Sequence, residues 1–198
     1  MNSDRKTNKL DEVKTGPRKT EPCFIEKAEQ RGKTANRIAG GRAMQRIPSF
    51  SIDHTKLLRG VYLSRQDDDI KTWDIRMKEP NHGDYLSNGA IHTIEHLFAT
   101  YARNSKYKDG VIYIGPMGCR TGIYFLTKGL TDAEVLELIT ESYRFMADFD
   151  GEIPGAKEPE CGNYLDHDLK GCNEEAKAYL EVLEKLTPED MKYTYYLD

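Results

Sequence analysis

The chain has 198 residues, of which 31% are charged, and its formal net charge is −4. A length of this order fits one domain with a tail and is sufficient to bury a hydrophobic core. The chain contains no run of about 18 apolar residues, and its N-terminus is charged rather than apolar. The sequence therefore gives no sign of a membrane span or a secretory signal, and we expect a cytoplasmic protein.

Charge is distributed unevenly along the chain. Residues 1–43 carry 11 Lys and Arg against 6 Asp and Glu, whereas residues 44–198 carry 18 against 27. The first segment is poor in large apolar residues, which predicts a basic, disordered extension, whether native, from a misassigned start codon or from an added leader. Residues 44–198 are predicted to form the folded domain. Their acidity argues against nucleic acid as a partner, because a phosphate backbone requires a basic face.

The first predicted elements are strands. Alternating apolar residues over 47–64 predict two short strands around a polar turn. Residues 72–77 read Thr-Trp-Asp-Ile-Arg-Met, so that apolar and charged side chains fall on opposite sides of a further strand. An amphipathic helix follows over 88–103, beginning near Ser87 or Asn88, with an apolar stripe at helical spacing.

The second half of the predicted folded domain has the sequence patterns of two more strands and two more helices. Residues 111–116 and 122–127 are apolar runs that we interpret as central strands joined by a tight bend. A capping box at Thr131 and Glu134 predicts the start of the second helix, and a third helix is expected over about 173–186. Helices separated by groups of strands indicate a single α+β domain, with an antiparallel sheet packed against about three long helices.

The predicted first helix carries a metal-binding pattern. Residues 92–96 read His-Thr-Ile-Glu-His, so His92 and His96 lie one helical turn apart and can bind one divalent metal from the same face. Glu95 lies close enough to act as an acid or base. The pattern also marks inverted zinc metallopeptidases, in which a downstream carboxylate completes the ligand set. An ordinary solvated helix face is the second alternative.

Four cysteines in a chain without an export signal are expected to be reduced thiols. Two of them lie beside glycines, in the stretches 118–120 (Gly-Cys-Arg) and 160–162 (Glu-Cys-Gly). A peptidase needs no thiolate beside its metal, so Cys119 and Cys161 favour another kind of metalloenzyme.

Three motifs in this order, 92–96, 116–122 and 160–162, resemble the S-ribosylhomocysteine lyase family, the autoinducer-2 synthases. The resemblance also covers residues 49–55 and 74–76, together with residues 167–169 before the last helix. It spans most of residues 44–198 and leaves out residues 1–43. His167 lies within the matching stretch, but the sequence gives it no role beyond that of a polar loop residue.

The resemblance implies a metal site and a reaction. It assigns His92, His96 and Cys161 as ligands of one divalent metal per subunit, most commonly Fe(II), with Zn(II) or Co(II) as substitutes. It implies cleavage of the thioether of S-ribosyl-L-homocysteine into L-homocysteine and 4,5-dihydroxy-2,3-pentanedione, the autoinducer-2 precursor. It also implies a homodimer with two sites at the subunit interface.

The resemblance and the chemistry of the residues together predict roles for six further residues. Cys119 would move protons beside the metal, with Arg120 as a contributor of positive charge, and Glu95 would be the second acid or base. The substrate pocket would be lined by Ser49, His54 and Arg76, with Arg76 binding the homocysteine carboxylate as a forked donor. Two alternatives from other classes remain, an inverted zinc metallopeptidase and a metal-binding protein without catalytic activity.

Overall fold

The computed structural model describes residues 36–37, 43–44 and 47–197. The predicted extension over 1–43 lies outside these residues, apart from those in a short antiparallel ladder. That ladder joins strand β1 (Asn36–Arg37) to strand β2 (Ala43–Met44).

The main sheet has four strands, β3 (Gly60–Asp67), β4 (Ile70–Arg76), β5 (Val111–Pro116) and β6 (Gly122–Lys128). Their order is β3-β4-β6-β5, and every neighbouring pair is antiparallel. The prediction of two central strands is therefore correct for β6 and wrong for β5. β6 pairs with β4 along its full length, which leaves β5 at the edge of the sheet.

Three long helices complete the domain, α1 (Asn88–Asn104), α2 (Asp132–Asp148) and α3 (Leu169–Leu183). The predicted helix starts are confirmed for α1, where Ser87 caps the first turn, and for α2, where Thr131 and Glu134 form a capping box. α3 begins earlier than predicted because the Asp168 side chain accepts a hydrogen bond from Gly171 N. The single α+β domain is confirmed, and none of the helices described is long and apolar enough to cross a membrane.

The core lies between one face of the sheet and the helices. The strand residues of this face are fully buried, as are the helix residues of the same hydrophobic cluster: Val61, Trp73, Ile75, Ile123, Phe125, Phe98, Tyr143 and Tyr179. Side chains on the opposite face of β4 alternate with these, so Asp74 and Arg76 point away from the core. They are nevertheless 1% and 3% exposed. The sequence pattern puts the two charged side chains on one face of the strand, and the structure shows that this face is buried as well.

The first of the two strands predicted over 47–64 is absent from this region. A 3-10 turn occupies Pro48–Phe50, and Ile52 forms a single bridge with Tyr196. Leu197 N donates to Ser51 O at 2.8 Å, so the backbone here pairs with the C-terminal residues rather than with the sheet. Only the second predicted strand exists, as β3.

Candidate active site

Two histidines of α1 are oriented by backbone carbonyls. His92 Nδ1 lies 2.8 Å from Asp166 O, and His96 Nδ1 lies 2.8 Å from Pro154 O. Because a carbonyl oxygen only accepts hydrogen bonds, each Nδ1 carries the proton, and each Nε2 presents a lone pair. This is the arrangement that fixes the tautomer and ring direction of metal-binding histidines.

The local sequence of α1 accounts for the position of both rings. The buried side chains of the helix, among them Ile94 and Leu97, face the core, which turns His92, Glu95 and His96 to the other side. Gly155 has a φ of 74°, and a Cβ there would lie 3.2 Å from His96 Nδ1. A glycine at this position therefore allows the loop to approach His96 closely.

Cys161 joins the two histidines by distance and by chemistry. Its Sγ lies 3.4 Å from His92 Nε2, and Asn163 N donates to the same sulfur at 3.5 Å. A tetrahedral metal with bonds of about 2.3 Å to sulfur and about 2.0 Å to nitrogen separates the two ligand atoms by roughly 3.5 Å. The residues present therefore fit a divalent metal, and Glu95 lines the same recess.

His167 joins this group, although the sequence analysis gave it no role. The ligand atoms of His92, His96, Cys161 and His167, which we call the metal cluster, all lie within 4.8 Å of one another. The ring of His167 stacks on that of His92 with 4.1 Å between centroids. Burial lowers the pKa of His167, and the neighbouring His92 and His96 lower it further. The one available sequence signal was its position six residues after Cys161.

A second group of polar side chains surrounds Cys119 in the bend between β5 and β6. The exposed Cys119 has its Sγ 3.0 Å from Thr121 Oγ1 and 3.9 Å from Arg76 Nη1. Arg76 also donates to Thr121 Oγ1 and to Asp74 Oδ2, each at 2.5 Å. Tyr193 donates to the same Asp74 oxygen at 2.6 Å. We call these five residues the thiol cluster.

Arg76 is enclosed by this network. Burial lowers the pKa of its guanidinium, but the charge of Asp74 and the hydrogen bond to it raise the pKa overall, so the group remains a cation. A side chain 3% exposed is poorly placed to bind a substrate carboxylate, and that role stays a prediction. The Arg120 guanidinium lies over the Tyr85 ring, 5.9 Å from its centroid, so it is Arg76 that contacts Cys119.

Ser49 and His54 lie in the segment that pairs with the C-terminal residues. Both are half-buried, and His54 Nδ1 lies 2.9 Å from Ile52 O. Among the described residues, no hydrogen bond or ring contact joins either side chain to the metal cluster or to the thiol cluster. Their predicted role in a substrate pocket is therefore not tested by contacts within this chain.

The two clusters are separate within one chain. Cys119 does not belong to the metal cluster, and it does not line the recess that contains His92, Glu95 and Cys161. Asp74 and Arg76 lie on the face of the sheet opposite the core against which α1 packs. The chain thus brings the predicted metal ligands together with Glu95, and it brings Cys119 together with Arg76. It does not bring the first group into contact with the second.

The fold and these clusters define an α+β protein with a candidate His/Cys metal centre and an exposed thiol beside a buried arginine. A profile of the S-ribosylhomocysteinase (LuxS) family matches residues 47–189. An S-ribosylhomocysteine lyase of Phocaeicola vulgatus is 53% identical over 157 residues, covering 76% of this chain and 98% of the relative. Relatives of the same name from Porphyromonas gingivalis and Clostridium beijerinckii are 48% and 45% identical, each covering 76% of this chain and 99% of the relative.

The chain therefore belongs to the S-ribosylhomocysteine lyase family and is an enzyme of the carbon–sulfur lyase class. The resemblance inferred from the motifs is confirmed.

Proposed function

We propose that this protein cleaves the thioether of S-ribosyl-L-homocysteine to L-homocysteine and 4,5-dihydroxy-2,3-pentanedione, the autoinducer-2 precursor. The observation that carries the proposal is the metal cluster, in which two carbonyl-anchored imidazoles and a thiol converge in a chain of this family. A second support is the exposed thiol of Cys119 beside Arg76.

His92, His96 and Cys161 would hold one divalent ion. Two imidazoles and a thiolate suit Fe(II), Zn(II) or Co(II), and we propose Fe(II) as the native ion, as the family resemblance implies. When bound, the ion acts as a Lewis acid toward a carbonyl oxygen of the substrate. A reduced thiol and a ferrous ion both favour a reducing compartment, so we propose a cytoplasmic location.

Cys119 is the proposed proton carrier for the carbonyl migration. Its sulfur is exposed to solvent, and the Arg76 cation 3.9 Å away stabilises a negative charge there. The thiolate removes a proton from the carbon next to the sugar carbonyl and returns it to the former carbonyl carbon, while a hydroxyl proton moves between the two oxygens. Two such shifts place the carbonyl beside the carbon that neighbours the C–S bond.

Glu95 is the proposed base for the final elimination. It lines the same recess as His92 and His96, so its carboxylate lies next to the residues that would hold the ion. Its carboxylate removes the proton on the carbon between the carbonyl and the C–S bond. A carbon–carbon double bond forms, the C–S bond breaks, and homocysteine leaves as a thiolate that takes up a proton. The enol that remains tautomerises to the dione, its hydroxyl proton being lost as the terminal carbon takes one up.

We propose that the working site contains residues from two chains. The metal cluster and the thiol cluster do not meet within one chain, although the reaction requires both. Large apolar side chains are exposed on two segments of the predicted site: Leu165, 80% exposed, precedes Asp166, whose carbonyl orients His92, and Phe50, 66% exposed, follows Ser49. In a two-fold dimer, a contact between the metal cluster of one subunit and the thiol cluster of its partner occurs twice.

The main alternative is an inverted zinc metallopeptidase. That reading requires a carboxylate as the third ligand. Among the described residues, the group that gathers ligand atoms around His92 and His96 contains Cys161 and His167 but no Asp or Glu. The ligand chemistry therefore favours the lyase.

The test is the release of homocysteine from S-ribosylhomocysteine, measured by thiol titration with anaerobic protein loaded with Fe(II) or Co(II). Wild-type protein should release homocysteine, and Cys119→Ala should lower the rate by about 100- to 10,000-fold, the usual contribution of a positioned acid or base. Cys172→Ala is the matched control, because it removes a thiol that is buried in α3 and belongs to neither cluster.

Absence of release from fully metallated wild-type protein would disprove the proposal. Peptide cleavage that survives Cys119→Ala would instead support the hypothesis of an inverted zinc metallopeptidase.

A further inference from the structure

His167 belongs to the metal cluster, but its ring is placed differently from the rings of the two histidines proposed as ligands. We propose that His167 is a positioning residue, which fixes the plane of the His92 imidazole by stacking on it and does not bind the ion itself. This inference rests on the metal centre proposed above and assigns one further residue to it.

Ring geometry separates His167 from the ligands. An imidazole nitrogen binds a metal along a lone pair in the plane of the ring, so the ion must lie near that plane. The His92 and His96 rings are 86° apart, and their planes can cross at a common ion. The His92 and His167 rings are only 20° from parallel, with 4.1 Å between centroids. An ion in the plane of His92 therefore lies well outside the plane of His167.

The neighbouring sulfur identifies which of the two stacked rings is the ligand. His92 Nε2 lies 3.4 Å from Cys161 Sγ, close to the separation of roughly 3.5 Å expected for two ligands of one tetrahedral ion. His92 is also the ring whose Nδ1 is held by a carbonyl, that of Asp166. His167 is thus the outer ring of the stack.

His167 is itself held firmly. Its Nδ1 lies 3.2 Å from Thr93 Oγ1, and that hydroxyl donates to Gly89 O at 2.8 Å. With its proton engaged by Gly89, the hydroxyl faces His167 with a lone pair, so Nδ1 of His167 is the donor. Thr93 is fully buried in α1, and its oxygen also accepts from Asp168 N, at the residue that caps α3. The ring is therefore anchored where the two helices meet.

Stacking controls a motion that the hydrogen bond of His92 leaves free. The bond from Nδ1 to Asp166 O fixes one point of the ring, but the ring can still tilt about it. A second ring packed on its face removes that tilt and keeps Nε2 directed at the ion. Side chains that orient metal ligands in this way commonly change metal affinity by about 10- to 100-fold when they are removed.

The test compares His167→Ala, which removes the stacked ring, with His167→Phe, which keeps a ring but has no nitrogen. Co(II) and Zn(II) affinities are measured by competition with a chelator, and the visible absorption of the Co(II) form reports the ligand set. We expect His167→Ala to weaken binding by about 10- to 100-fold. His167→Phe should stay within a few-fold of wild type and keep the wild-type Co(II) spectrum.

A second pair of variants tests the anchor. Thr93→Val removes the hydroxyl that holds His167, whereas Asp168 N keeps Gly89 O as an acceptor at 3.2 Å. Thr93→Val should weaken metal binding in the same direction as His167→Ala, and Thr93→Ser should restore it. This pair decides the question if thermal unfolding of the metal-free protein shows that His167→Ala does not fold.

Two results would overturn the inference. If His167→Phe loses as much affinity as His167→Ala and changes the Co(II) spectrum, His167 is a ligand. If no variant of His167 or Thr93 weakens binding, the stack has no positioning role. Failure of the wild-type protein to bind either metal would instead remove the metal centre proposed above.

Discussion

The metal cluster and the thiol cluster are built on different principles. The charged groups of the thiol cluster neutralise each other, since Arg76 pairs with Asp74 on a buried face of the sheet. In the metal cluster, the Nε2 lone pairs of His92 and His96 converge with the sulfur of Cys161, and the third imidazole, His167, stacks on His92. The first cluster is stabilised by the chain alone, whereas the second has a set of lone pairs suited to a cation.

The positions of the two clusters show what is needed to complete the site. The face of the sheet that carries Asp74 and Arg76 and the outer face of α1 that carries His92 belong to different sides of the domain. A reaction that needs both clusters requires either a second chain or a large rearrangement. A preassembled thiol cluster argues for the second chain, because moving Arg76 would break a buried ion pair.

The largest effect is expected on homocysteine release, when each cluster is inactivated in a different chain. Cys119→Ala and His92→Ala should each lower homocysteine release by at least about 100-fold. When the two inactive chains are mixed under conditions that exchange subunits, half of the dimers should be mixed and each should retain one intact site. Release should therefore recover to about one quarter of wild type.

The control for this experiment is a mixture of Cys119→Ala with Cys119→Ser, which should stay inactive because both chains lack the same thiol. No recovery in the first mixture, with subunit exchange verified by mass, would place both clusters in the same chain.

A smaller effect is expected on the free energy of unfolding, and it should be larger for substitutions in the thiol cluster than for those in the metal cluster. Asp74→Asn leaves Arg76 as a buried charge without its partner, which should lower the free energy of unfolding by about 3–5 kcal/mol. The double variant Asp74→Leu with Arg76→Met removes both charges and should be much less destabilised. Urea unfolding measures both.

The matched comparison is His96→Ala in metal-free protein. His96 is half-buried and forms no ion pair with any residue that the structure describes, so His96→Ala should lower the free energy of unfolding less than Asp74→Asn does. Equal losses for Asp74→Asn and His96→Ala would contradict the proposed difference between the clusters.

The smallest expected effect concerns Tyr193. Tyr193→Phe keeps the stack on Tyr62, whose centroid is 5.0 Å away, and removes only the hydrogen bond to Asp74. A hydrogen bond to a charged group contributes about 1.5–3 kcal/mol, so the loss on urea unfolding should fall below that of Asp74→Asn. Chelator competition should give the wild-type Co(II) affinity, since Tyr193 belongs to the other cluster, and weaker Co(II) binding would argue against the separation.

Local features of the sequence were sufficient to predict the helices. The capping residues Ser87 and Thr131 and the apolar spacing of α1 act within a few residues of one another, so the pattern and the structure agree. The same holds for the first two ligands, because the spacing of His92 and His96 is itself a property of the helix. α3 begins at Leu169 rather than at about residue 173, because Asp168 caps it and the sequence pattern used for the prediction did not include that cap.

The features that were missed depend on contacts between distant residues. His167 meets His92 only because the chain between them returns to α1, and no local pattern encodes that contact. The burial of Asp74 and Arg76 was missed because alternation along a strand shows that two faces differ, not what covers each one. The residues over 47–53 resemble a strand, but they form a turn and a bridge to the C-terminus.

The pairing of the two ends of the domain affects how the chain can be shortened. The family profile ends at residue 189, and a designer guided by it would remove the residues that follow. Those residues include Tyr193, which donates to Asp74, the ion-pair partner of Arg76, and Tyr195, whose carbonyl accepts from Asp53 N next to His54. Such a truncation, or a tag joined closely to the last residue, would disturb both the thiol and the segment of Ser49 without touching any predicted site residue.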